Sequence, residues 1–117
     1  MSAEKNYQVA HLDQIPTIDC PCGFTRRAFT EDEDQLATLH LLDVQEDARI
    51  HYHKEITEIY FILKGEGQMY LDGDLVPVEP MTGILIKPGC RHRAVGELQI
   101  AIVAIPAFDP EDEHFDD

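Results

Sequence analysis

Arg49-Ile50-His51-Tyr52-His53-Lys54-Glu55-Ile56-Thr57-Glu58, running into Ile59-Tyr60-Phe61-Ile62-Leu63, is the stretch on which the reading of this chain turns. Residues two apart on a strand share a face, so His51 and His53 send their imidazoles one way while Ile50 and Tyr52 point the other. The apolar run after Glu58 reads as the next strand. A short turn between the two brings the Glu58 carboxylate alongside the imidazoles. Two imidazoles and a carboxylate meeting at one point form a donor set for a divalent first-row metal. A His-x-His alone is more often a pair of surface histidines, so the remaining sequence has to decide.

Working outward, Leu36 to Val44 is a strongly apolar strand, and His40 within it reads as a core or edge histidine, not a ligand. Arg26-Arg27-Ala28-Phe29 reads as a short strand ahead of the acidic run Glu31-Asp32-Glu33-Asp34, an exposed loop. Residues 1–18 show no clear period, and Ile15-Pro16-Thr17-Ile18 looks like an extended edge segment. Downstream, Gln68 to Leu71 and Leu75 to Val78 flank Asp72-Gly73, a hairpin signal. Thr82 to Ile86, His92 to Val95 and Leu98 to Ile105 complete the series, and Phe115-Asp116-Asp117 ends it as an acidic tail. Short strands divided by Gly, Pro and Asp turns, with no sustained helical period, predict an all-β sandwich or barrel.

The spacing of the polar residues adds a resemblance. His51-x-His53, four residues, Glu58, six residues and Gly65 resemble the first motif of the cupin superfamily. Lys87-Pro88-Gly89-Cys90-Arg91-His92 resembles the second, with Gly89 and His92 in place. Gln45, Met81-Thr82, Lys87 and Gly96 depart from the usual residues at their positions, but none of these removes a ligand. The resemblance spans roughly residues 36–106 and resembles most a small single-domain cupin of the conserved-barrel type. It implies a double-stranded β-helix, or jelly-roll barrel, and one divalent transition metal (Fe, Mn, Ni, Co or Zn) held by His51, His53, Glu58 and His92. The expected domain is the whole chain, 1–117, with an extended N-terminal segment and an acidic C-terminal tail.

Composition narrows the function classes. At 117 residues the chain suits one core without disulfide staples. Asp and Glu number 23 against 9 Lys and Arg, a formal charge of −14 that repels phosphate backbones and argues against nucleic acid. No apolar run is long enough to span a membrane, and the start, Met1 to Asn6, has no apolar leader, so a cytoplasmic location is expected. Cys20, Cys22 and Cys90 do not make a disulfide framework and read as reduced thiols, with a place at a pocket mouth the lesser reading.

The donor set leaves coordination positions open to water, substrate or dioxygen. Cupins range over oxygenases, decarboxylases, sugar isomerases and epimerases, and non-catalytic binding or sensor proteins, and the fold alone does not choose. The leading reading is a metal-dependent enzyme on a small organic metabolite, with dioxygenase-like chemistry favoured; a binding or sensor module and an isomerase or epimerase are the alternatives. Tyr60, Ile62 and Met69 are expected to border the pocket, Tyr60 as a candidate to orient substrate. Arg26 and Arg27 either clamp an anion or sit on the surface. Arg91 and Arg93 should point away from the His92 face by alternation. Ile59, Phe61 and Leu63 make the opposite face of the Glu58 strand apolar as well, so a second subunit is expected to cover it as a homodimer.

Overall fold

Burial alternates along the strands as a half-buried pleat requires. Thr38, His40, Leu42 and Val44 are buried in one strand, and Leu98, Ile100, Ile102 and Ala104 in another, with their neighbours partly exposed. The structure is a computed structural model and describes residues 5–20, 23–45 and 49–116. Among them nine strands form: β1 Ile18–Cys20, β2 Gly23–Ala28, β3 Thr38–Val44, β4 Thr57–Lys64, β5 Gly67–Leu71, β6 Asp74–Val78, β7 Gly83–Ile86, β8 His92–Val95 and β9 Leu98–Ile105. They build a six-stranded sheet, β1-β2-β3-β9-β4-β7, and a three-stranded sheet, β6-β5-β8. All the pairings are antiparallel. The inner faces of both sheets meet over Leu42, Val44, Tyr60, Ile62, Met69, Val78, Ile86, Leu98, Ile100 and Ile102. This is the jelly-roll barrel that the motif resemblance implies, within the all-β sandwich or barrel class that the strand pattern predicts.

Local chemistry explains the turns. Asp72 and Gly73 both adopt positive φ, 49° and 94°, the pair a two-residue hairpin turn needs to match the strand twist. Gly65 (φ 89°) ends β4 where a Cβ would overlap the Glu97 carbonyl, so the motif glycine answers a backbone approach. Met81 adopts φ 78° without a glycine's freedom, while the Thr82 hydroxyl accepts the Glu79 N–H at 3.2 Å and holds the same turn.

Three expectations shift. The strand expected from Arg49 to His53 shrinks to bridges at His51 and Tyr52, opposite His92 and His114. Beyond His53 the backbone turns away from a ladder, because its amides are taken by a side chain described below. The strand expected at Arg26–Phe29 runs over Gly23–Ala28 and ends where Phe29 takes φ 69°. The C-terminal segment folds back onto the barrel through a 3-10 turn at Pro110–Asp112, the Tyr52–His114 bridge and an ion pair of 2.7 Å between Arg91 and Asp116. Asp117 and Cys22 lie outside the described residues.

Candidate metal centre

The two histidine motifs are stitched together by backbone. His51 and His92 sit directly opposite each other and exchange both amide hydrogen bonds, at 3.1 and 2.9 Å. Gly89, at φ 89°, turns its N–H to the His53 carbonyl at 2.7 Å. Glu58 comes from the other sheet, the second residue of β4, between Ile86 of β7 and Ala104 of β9. The site therefore lies at one end of the barrel, where both sheets contribute. The nitrogens of His51, His53 and His92 all lie within 4.8 Å of one another, a cluster that could hold a metal ion. Glu58 is outside that mutually close set, but its Oε1 is 3.1 Å from His53 Nε2 and 3.2 Å from His92 Nε2.

Hydrogen bonds decide which nitrogen of each ring is available. His51 Nδ1 faces the Arg49 carbonyl at 3.1 Å, His53 Nδ1 that of Asp112 at 2.9 Å and His92 Nδ1 that of Cys90 at 2.8 Å. A carbonyl only accepts, so each Nδ1 carries a proton and each neutral ring turns its Nε2 lone pair inward. With the rings neutral, three lone pairs and a carboxylate face one another, His92 Nε2 lying 3.2 Å from Glu58 Oε1. His53 Nε2 is buried and makes no hydrogen bond, since its approach to Glu58 has ion-pair distance without hydrogen-bond alignment. A buried polar atom without a partner is costly, and a metal cation could serve as that partner.

The charges respond to that geometry. Burial alone would raise the Glu58 carboxyl, but contact with His53 and His92 outweighs it and holds the pKa at about 2. Burial pushes His51 down to about 4, helped by the neighbouring His92. For His53 the same burial acts downward, yet the Glu58 carboxylate wins and raises it.

Asp112 is the residue supporting the candidate site that sequence reasoning does not single out. Only 8% exposed, its carboxylate accepts the backbone N–H groups of Lys54, Glu55 and Ile56 at 2.9, 3.0 and 3.1 Å. Its own carbonyl orients His53. One residue thus shapes the turn between His53 and Glu58 and aims a ring at the cluster. The signal nearby was legible: Asp109 caps the turn by accepting the Glu111 N–H, with Pro110 at its start. Nothing local says that Asp112 docks on residues 54–56.

Above the cluster opens a cavity of about 330 Å³, lined in part by Tyr60, Arg27, His40, Leu42, Ile102, Phe108 and Phe115. Tyr60 lines it, with its ring edge-on to His92 at 5.8 Å. Ile62 and Met69 do not: both are fully buried in the core, further along the barrel from the mouth. Phe108 and Phe115, from the C-terminal segment, supply wall in their stead. Alternation on β2 separates the two arginines. Arg27 lines the cavity, whereas Arg26 donates outward to the carbonyls of Asp13 and Ile15 at 3.2 and 2.6 Å. Arg91 lies over the Tyr52 ring and outside the cavity lining, as does Arg93. Cys20 lines the cavity, and Cys90 packs on the core.

His40 belongs to the cavity wall as well as to the core. Its Nε2 is 2.8 Å from the Thr38 hydroxyl, which also accepts the Phe108 N–H at 3.0 Å. Burial, then Arg27, lowers its pKa to about 4, so the ring is neutral.

Residues 38–104 match the cupin domain family. The chain is a cupin. It is 37% identical to a protein of known structure from Planctomyces limnophilus, over 93% of this chain and 96% of that one, with a TM-score of 0.86. Streptomyces PAC13, a nucleoside dehydratase solved with uridine, superposes at TM-score 0.76 with 19% identity, covering 94% of this chain and 90% of its own. Ectoine synthase from P. lautus gives 0.76 and 18%, covering 92% and 88%. At such identities the last two show the barrel alone. No curated protein sequence matches this cupin. None of its described helices is long and apolar enough to cross a membrane.

Proposed function

We propose that this cupin is a metal-dependent enzyme in which His51, His53, His92 and Glu58 hold one divalent transition metal and the cavity above binds a small organic metabolite, with dioxygen as co-substrate. The observation that carries the reading is the buried, unpartnered Nε2 of His53, facing two further imidazole nitrogens and a carboxylate. With nitrogen and oxygen donors and no thiolate among them, the set suits Fe, Mn, Ni, Co or Zn. Such an ion supplies Lewis acidity and, when redox-active, electrons for dioxygen. The chain's own part is placement. Asp112 and the Cys90 carbonyl aim His53 and His92, and Glu58 offsets positive charge in a buried site. Leu42, Ile102, Phe108 and Phe115 make most of the neighbouring wall apolar, which limits water around a reacting compound. Tyr60 stands beside His92, where its polar end can orient that compound.

The same reading includes a homodimer. Ile59, Leu63, Leu85 and Ile105 are 41, 38, 60 and 45% exposed on the outer face, and Ile59 and Leu85 are cross-strand neighbours. The face runs out to the open edge strand β7, and a second copy about a two-fold axis covers like with like.

The test is elemental analysis after reconstitution, followed by oxygen uptake across a panel of small organic acids. One metal per chain and oxygen consumed in step with substrate are expected. Conversion without oxygen would move the enzyme to the isomerase or epimerase class. Tight binding without turnover would replace it with the non-catalytic binding or sensor reading.

A further inference from the structure

Arg27 occupies an unusual place for a guanidinium. On the inner face of the large sheet it stands opposite His40, His40 opposite Ile102, and Ile102 opposite Tyr60, a row that crosses four strands toward the histidine cluster. Its guanidinium lies over the Phe108 ring, 4.7 Å from the centroid. Phe108 is pinned in turn by its N–H to Thr38. The Arg27 Nε is buried with no hydrogen-bond partner, and among the described residues no carboxylate lies in ion-pair range of it. A rigid, stacked, partly buried cation without an anion is costly to maintain unless a ligand completes it.

We infer that Arg27 is the anion anchor of the cavity and that the compound bound there carries a carboxylate. The inference rests on the small-molecule reading above and names its substrate class. A guanidinium presents a planar fork that matches a planar carboxylate. His40, neutral and committed to Thr38, adds no second positive charge beside it. The exposed acids Asp19 and Glu113 line the rim and oppose a polyanion. A phosphate dianion calls for several converging donors, whereas the other guanidinium of the lining, Arg49, is stacked separately over the Phe115 ring, 4.0 Å from its centroid.

The probe is pyruvate, with its neutral amide and inorganic phosphate as controls, titrated into chelator-treated protein. In the wild type the Arg27 Nε–H resonance should shift saturably with pyruvate, little with phosphate and not at all with the amide. Arg27→Gln should weaken pyruvate binding roughly tenfold or more, and Arg27→Lys by an intermediate factor. Both should keep the wild-type metal stoichiometry, and Arg27→Gln should not lower the ligand-free thermal midpoint. Equal pyruvate affinity in Arg27→Gln, equal affinity for the amide, or tighter binding of phosphate would overturn the assignment. Because the titration is made without metal, failure of the metal reading leaves this readout standing, and failure here leaves metal stoichiometry intact.

Discussion

Replacing Asp112 by alanine tests whether the C-terminal segment supports the candidate metal centre. The carboxylate takes three backbone N–H groups, at 2.9, 3.0 and 3.1 Å. Lys54 and Glu55 are exposed, so water can satisfy their amides, and each lost bond costs about 0.5–1.5 kcal/mol. Ile56 is 2% exposed, so its N–H is stranded at about 1–3 kcal/mol. The contributions are not independent, and together they give roughly 2–4 kcal/mol. Against a domain stability of about 5–15 kcal/mol the variant stays folded at room temperature. Urea unfolding reads that loss as a lower midpoint at unchanged slope. Metal affinity, measured by competition with a chromophoric chelator, should fall roughly 10- to 100-fold as the His53 turn loosens. Asp112→Asn keeps the shape but sets an amide NH₂ against backbone donors, so it should recover only part of the loss. A stability change below about 0.5 kcal/mol with metal affinity unaltered would show that the turn holds its form without Asp112.

Metal binding at one ion per chain should disappear in His51→Ala and in His92→Ala, read by elemental analysis after reconstitution; retention in both would remove the four-residue site. Gly65→Ala should cost more than about 2 kcal/mol in urea unfolding, since the Cβ meets the Glu97 carbonyl at φ 89°, and a near-neutral result would contradict that contact. Light scattering at micromolar concentration should report a dimer for the wild type and a monomer for Leu85→Glu, whose side chain is 60% exposed on the apolar face. A monomeric wild type would exclude the second-copy reading.

How much of this was legible before folding depends on the range of each interaction. Period-two alternation is written by neighbouring residues, so β3, β8 and β9 follow from the chain itself, β8 and β9 at the ends expected of them. The Asp72-Gly73 hairpin follows for the same reason: the turn's backbone needs are met within two residues. The histidine spacing carried the three-histidine cluster, because His51 and His53 share a face by alternation alone and Gly89 places His92 three residues on. What the sequence could not disclose was how deep the cavity reaches. Ile62 and Met69 share the right face but fall below its floor, a matter of where two sheets close together.

Nor did local pattern distinguish Arg27 from Arg26. They are adjacent, and which of them turns inward is set by the register of β2 against β3, Arg27 opposite His40. The widest gap is Asp112, whose carbonyl meets His53 across 59 residues of chain. In sequence it is one acid in an acidic stretch, indistinguishable from Glu111 or Glu113. Only the return of the C-terminal segment over the barrel puts its carboxylate on three amides. Alternation and motif spacing are local and survive in one dimension; cavity depth, inward choice and the Asp112 clamp come from long-range packing, which exists only once both sheets are closed.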